Sequence, residues 1–163
     1  DIIAKQPALN EEKINLFSVG LLIVLDIEDK KMNFLLCGDM VNEVFNEIAE
    51  VQEDDEIPNT YNYVKIPHHG GKSAQNLMKI LNRNSKCPVA GTTIFRKSKD
   101  KNEPIKNPLD ATIKAYKKYI EKISCTSDVE KGSYGKGIIE TEFDVLRGKL
   151  SLEVRGEAIE DIW

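Results

Sequence analysis

The chain has 163 residues, of which 40% are hydrophobic and 31% are charged, and its net charge is −4. These values are typical of a folded protein with a core of its own, and they exclude a disordered chain or a strongly basic nucleic-acid-binding protein. The most apolar run, residues 19–25, is far shorter than the roughly 20 residues that a membrane span needs, so we expect no membrane partner.

The first half of the sequence predicts two strands, a helix and a third strand. Residues 1–14 are polar and are expected to be a connecting segment. Residues 17–27 are mostly large and apolar, which predicts a strand buried on both faces, and residues 33–37 return as its hairpin partner. A helix is indicated by the apolar positions Val41, Val44, Phe45, Ile48 and Val51. Residues 61–66 form a third strand that Pro67 ends.

The second half continues the alternation of helices and strands. Ser73 is expected to cap a short helix, and Pro108 is expected in the first turn of another. The other predicted elements are a strand at residues 89–95, a charged loop at 96–106, a helix marked by Ile113, Tyr116, Lys117 and Ile120, a strand at 123–126, a glycine-rich stretch at 132–137, and a hairpin of residues 138–146 and 149–154. The pattern predicts an α/β or α+β fold with a mixed sheet flanked by helices, and residues 1–163 form a single domain or half-domain.

The three cysteines are odd in number and show no CxxC spacing, so neither a disulfide framework nor a zinc knuckle is indicated. We expect Cys37, Cys87 and Cys125 to be buried free thiols in a reducing compartment, which favours a cytoplasmic protein. No secretory signal pattern opens the chain.

Polar residues with chemical potential follow two of the predicted strands. Asp39 comes directly after Gly38 at the end of the second strand, and ligands commonly collect at the carboxyl ends of strands. A carboxylate there suits a metal ion, although Asp39 is equally suited to cap the following helix. Both histidines of the protein, His68 and His69, follow the third strand, and neutral imidazole is the commonest protein metal ligand. Two solvated surface histidines are the simpler interpretation of such a pair.

Three segments resemble, in order and setting, the C-terminal half of metallo-β-lactamase-fold hydrolases. They are residues 15–22 (NLFSVGLL), 34–39 (FLLCGD) and 64–70 (VKIPHHG), and they are most similar to the DNA-uptake competence-protein branch and to phosphorylcholine-esterase-like members. The resemblance covers residues 15–155. It implies the C-terminal half of an αββα sandwich. One departure is Gly71, where the branch usually has Ser.

The resemblance also implies roles for single residues. Asp39 matches the metal-bridging, catalytic aspartate, and the His pair matches the last histidine motif. We expect His69 to be the metal ligand and His68 to be catalytic and to contact the substrate, and Asn15 and Ser18 match substrate-side positions. The implied cofactor is a divalent metal, zinc or else manganese. The implied substrate is a phosphoester or a related small-molecule ester or amide, and the net charge gives no indication of nucleic acid.

The H-x-H-x-D-H motif of this family is absent, because no histidine lies outside positions 68 and 69. A catalytic zinc needs about three protein ligands and an open position, so the site in this chain is incomplete and the chain alone should be inactive. The first residue is Asp1 and the first methionine is Met32, from which we expect an upstream portion that supplies the N-terminal half of the fold. A catalytically incomplete scaffold or partner-binding module is the alternative, and a phosphoacceptor domain with Asp39 as nucleophile is a weaker third.

Overall fold

Five strands form the central sheet in the order β1-β2-β3-β4-β5, and two more form a separate C-terminal hairpin. The computed structural model describes residues 18–52, 57–93, 108–127, 137–144 and 146–162. The elements are β1 (Leu21–Ile27), β2 (Lys30–Leu36), α1 (Asn42–Gln52), β3 (Tyr63–Lys65), two 3₁₀ segments (Pro67–Gly70 and Lys72–Lys79), β4 (Cys87–Thr92), α2 (Asp110–Tyr116), β5 (Ile120–Cys125), β6 (Ile138–Asp144) and β7 (Lys149–Arg155). Strands β1 and β2 are antiparallel, and β2 to β5 are parallel. The predicted mixed α+β fold with a mixed sheet is therefore confirmed.

One face of the sheet carries the core. Leu35, Val64, Ala90 and Ile123 are neighbours across the four strands β2 to β5 and are all buried. The helices and the second 3₁₀ segment cover this row with Phe45, Leu77, Ile113 and Tyr116, none of which is exposed. Because side chains alternate along a strand, the residues between these point to the other face.

The C-terminal hairpin packs on that other face. Phe34 of β2 meets Phe143 of β6 edge to face, with 6.0 Å between the ring centroids. A side chain at Gly91 would lie 3.6 Å from Ile139 of the same hairpin. Strands β6 and β7 match the predicted hairpin closely, because alternation and the Arg147-Gly148 turn are strong local signals.

The prediction that the first strand is buried on both faces was wrong. Strand β1 is an edge strand, and its side chains at Leu21, Ile23 and Val24 are 55%, 38% and 44% exposed. An apolar run predicts a β-strand. It does not show whether other elements will cover both faces of that strand or whether a second strand will pair with each of its edges.

Some element boundaries also differ from the sequence prediction. Helix α2 ends at Tyr116, and Ile120 begins β5 instead of closing the helix. Pro108 lies before the N-cap residue Leu109, outside the first turn. The predicted connecting segment, the charged loop and the glycine-rich stretch lie outside the described residues, apart from Gly137. In the described part of the chain, no helix has the length and apolarity to cross a membrane.

Candidate metal centre

Two neighbouring parallel strands, β2 and β3, end at the same edge of the sheet, because Leu36 pairs with Lys65. Asp39 follows β2 and the histidines follow β3, so the topology brings the two sequence motifs together. The backbone N–H of His68 donates to the carbonyl of Gly38 over 3.3 Å and links the two turns. The two motifs that sequence reasoning singled out therefore share one edge.

The Asp39 turn is open to solvent and separate from the helix that follows. Gly38 has a φ of +55°, and a side chain there would lie 3.1 Å from the carbonyl oxygen of Val19. Asp39 is exposed, and α1 begins only at Asn42. The competing interpretation of Asp39 as the cap of this helix therefore finds no support, because Asp39 lies before the capping position.

The histidine turn has an unusual backbone. His68, His69 and Gly70 have φ values of +44°, +54° and +68°, so three consecutive residues are left-handed. The left-handed conformation costs a non-glycine residue about 1 kcal/mol or more, and it persists where surrounding contacts hold it, often at functional sites. A side chain at Gly70 would also come within 3.0 Å of Pro108. Both the backbone conformation and the lack of space therefore require glycine at this position.

His69 is held through one of its ring nitrogens. Its Nδ1 lies 2.5 Å from the hydroxyl oxygen of Thr93, which directly follows β4. Because Thr93 engages Nδ1, a metal would be bound through Nε2. Hydrogen bonding of the second ring nitrogen is how metal-binding histidines are commonly oriented. Thr93 was not identified from the sequence.

His68 is held by a different hydroxyl. Its Nδ1 lies 3.0 Å from Oγ of Ser73 in the second 3₁₀ segment. The expectation that Ser73 caps a helix was wrong, since Gly71 is the N-cap residue and the segment has no side-chain cap. Ser73 instead orients a histidine five residues earlier. The two adjacent histidines thus have separate anchors on separate elements.

The electrostatics of the site favour an uncharged His69. Burial lowers the pKa of His69 from its usual 6.5, while the negative charge of Asp39 acts in the opposite direction. Lys65 and His68 lower the pKa of His69 further. A neutral imidazole is the form that binds metal ions.

The three cysteines are buried in the folded chain. All three are free and buried, as predicted. Burial raises the pKa of the Cys37 thiol, two residues from Asp39, to about 12, and burial raises that of Cys87 to the same value. Both groups are therefore protonated thiols at neutral pH.

The remaining predicted residues lie elsewhere. Asn15 is outside the described residues. Ser18 is partly buried and lines an apolar cavity of about 310 Å³ between the sheet and α1, together with residues such as Leu22, Val44 and Ile48. Within the described ranges, no group of three or more His, Cys, Asp or Glu side chains is arranged to hold a metal ion.

Comparison of the chain with protein-family models, with curated proteins and with solved structures finds no match. A function for this chain therefore has to be argued from its own residues. The residues that bear on it are Asp39, the two histidines and the hydroxyls that orient them.

Proposed function

We propose that this chain is the C-terminal half of a metal-dependent hydrolase of the metallo-β-lactamase fold, acting on a phosphoester or a related ester or amide. The observation that carries the proposal is the convergence of Asp39 and His69 at the ends of two adjacent parallel strands. The resemblance of the two motifs to the family adds to it. Zinc is the proposed cation and manganese the alternative.

Each residue has a distinct part in this proposal. A bound divalent cation lowers the pKa of a water molecule toward neutrality and so supplies a hydroxide nucleophile. The carboxylate of Asp39 and Nε2 of His69 would hold the cation, and Thr93 would keep the imidazole in the orientation that binds it. His68, oriented by Ser73, would contact the substrate.

The remaining ligands have to come from another polypeptide segment, the proposed N-terminal half with H-x-H-x-D-H. The start of β1 offers a place for it. Val19 is 84% exposed, and its carbonyl oxygen lies close to Gly38, next to Asp39. An exposed apolar edge strand is a template for pairing with further strands. A segment that pairs there would bring its side chains to the Asp39 edge.

Zinc binding by the intact 163-residue chain tests the proposal. Because this chain supplies only part of the ligand set, we expect equilibrium dialysis at high zinc concentration to show weak binding that saturates at one zinc ion per chain, and we expect Asp39→Asn to weaken it further because a neutral amide is a poorer ligand than a carboxylate. Asp26→Asn is the matched control, since Asp26 is an exposed carboxylate at the far end of β1, opposite Lys31. Zinc uptake that Asp39→Asn leaves unchanged would contradict the proposal.

A second candidate is a scaffold or partner-binding module with the same fold. The exposed apolar residues of β1 favour it, since they need a covering partner whether or not the site binds metal. The two candidates differ in metal binding, because a scaffold has no need of a cation. Absence of zinc and manganese binding from a correctly folded chain would therefore favour the scaffold.

A further inference from the structure

Lys65 is the last residue of β3, and it reaches the same sheet edge as Asp39 and the histidines. In the sheet it lies between Leu36 of β2 and Gly91 of β4. Its neighbour Val64 is fully buried in the core beneath the helices. Because side chains alternate along a strand, the side chain of Lys65 lies on the opposite face.

The ammonium group of Lys65 is partly buried and only partly satisfied. It donates one hydrogen bond, of 2.8 Å, to the carbonyl of Ile66. An ammonium has three donors, and no carboxylate among the described residues forms an ion pair with it. Burial lowers the pKa of Lys65, and the nearby carboxylate of Asp39 acts against this and favours the charged form.

We infer that Lys65 binds the anionic group of the substrate, which makes the site specific for phosphodiesters over neutral esters and amides. This inference rests on the proposed function and narrows its substrate class. The ammonium of Lys65 is a partly buried positive charge, and no carboxylate of the described residues forms an ion pair with it. A phosphodiester carries the negative charge that such a site lacks, and a lysine ammonium is a common phosphate ligand. A neutral ester would leave the ammonium partly buried without a counter-charge.

Two probes that differ in one charge test the inference on the intact chain. Dimethyl phosphate is an anionic diester, and trimethyl phosphate is its neutral counterpart. We expect backbone amide NMR shifts at this edge to show binding of dimethyl phosphate, and we expect Lys65→Met to weaken it about 10-fold. Lys86→Met is the control, because Lys86 also donates to a backbone carbonyl, that of Lys117, but lies before β4 at the opposite end of the sheet.

The inference is overturned if dimethyl phosphate binds equally well to Lys65→Met and to the wild type, or if the wild type does not prefer it to trimethyl phosphate. A measurement without substitution covers the case in which Lys65→Met does not fold. In the wild type, dimethyl phosphate should protect Lys65 but not Lys86 from acetylation, and unprotected Lys65 would contradict the inference.

Zinc dialysis separates this inference from the proposed function. We expect Lys65→Met to keep its zinc, because Lys65 is no ligand. Failure of the wild type to bind zinc would count against the proposed metal site, whereas the phosphate measurements need no metal and would decide the role of Lys65 independently.

Discussion

The turn between β1 and β2 and the turn after β3 both place two consecutive non-glycine residues in the left-handed conformation. Glu28 and Asp29 have φ values of +48° and +66°, and His68 and His69 have +44° and +54°. The first pair is exposed and joins two antiparallel strands, whose twist favours such a turn. The second pair is half-buried and lies within the segment Pro67–Gly70, where no strand pairing requires this backbone.

The contacts of the two turns explain the difference. The histidine turn is held by hydroxyls from two other elements, Ser73 and Thr93, and by the Gly38 carbonyl. In the hairpin turn, the antiparallel pairing of β1 and β2 is sufficient to favour the left-handed conformation. In the hairpin turn, the left-handed conformation is therefore explained by the connection of two antiparallel strands. In the histidine turn, it is held by contacts with other elements, and it positions the two imidazoles. This contrast can be tested by changing each turn and measuring both zinc binding and stability.

The largest expected effect follows from replacing the proposed ligand. We expect His69→Gln to weaken zinc binding by more than about 100-fold, because loss of a ligand exceeds the 10–100-fold loss that follows removal of its hydrogen-bond partner. Competition with a chromogenic chelator measures the affinity. Glu28→Gln, in the other left-handed turn, should bind zinc as the wild type does, and equal losses in both variants would remove the distinction between the turns.

The next effect concerns the backbone of the histidine turn. We expect Gly70→Ala to lower the free energy of unfolding by about 1–3 kcal/mol, because alanine is strained at positive φ and its Cβ would press on Pro108. Urea denaturation followed by circular dichroism measures this value. A stability equal to that of the wild type would show that the turn can relax out of its left-handed conformation.

A smaller effect is expected for the anchor of His69. Thr93→Val keeps the shape of the side chain and removes the hydroxyl, and it should weaken zinc binding about 10-fold because the imidazole is no longer oriented. The same chelator competition applies. Thr126→Val is the control, since Thr126 directly follows β5 as Thr93 directly follows β4. Unchanged affinity in Thr93→Val would mean that the hydroxyl does not orient the ligand.

The smallest effect is expected in the hairpin turn. Replacing Glu28-Asp29 by Asn-Gly, the preferred pair for such turns, should raise the free energy of unfolding by about 0.5–1 kcal/mol. Zinc affinity should not change. A loss of zinc binding in this variant would show that the hairpin turn affects the proposed metal site, and it would contradict the distinction between the two turns.

Sequence reasoning predicted that Asp39 and the histidines follow strands, but it did not predict the side chains that hold the histidines. The placement of Asp39 and the His pair at strand ends could be read from short apolar runs followed by Gly38 and Pro67, since both signals are local. The contact of His69 with Thr93 spans 24 residues and depends on the register between β3 and β4, which no local pattern reveals. Lys65 was passed over because a lysine in a strand is normally solvent-exposed.

In the fold, too, features decided by neighbouring residues were predicted, and features decided by distant contacts were missed. Both hairpins were predicted because alternation and turn residues act over a few positions. The edge position of β1 was missed, since it is decided by what pairs with the strand and not by the strand itself. Helix α2 was predicted too long, because Ile120 fits the helical spacing but is instead the first residue of β5.

A double-mutant cycle on zinc affinity tests most directly whether Asp39 and His69 bind one cation. Asp39→Asn, His69→Gln and the double variant are compared with the wild type by chelator competition. We predict that the double variant loses little more affinity than either single variant, with a coupling free energy of at least about 1 kcal/mol between the two substitutions. The reason is that either substitution alone already removes a ligand of the same cation. Losses that simply add, or single variants that keep full affinity, would contradict the account.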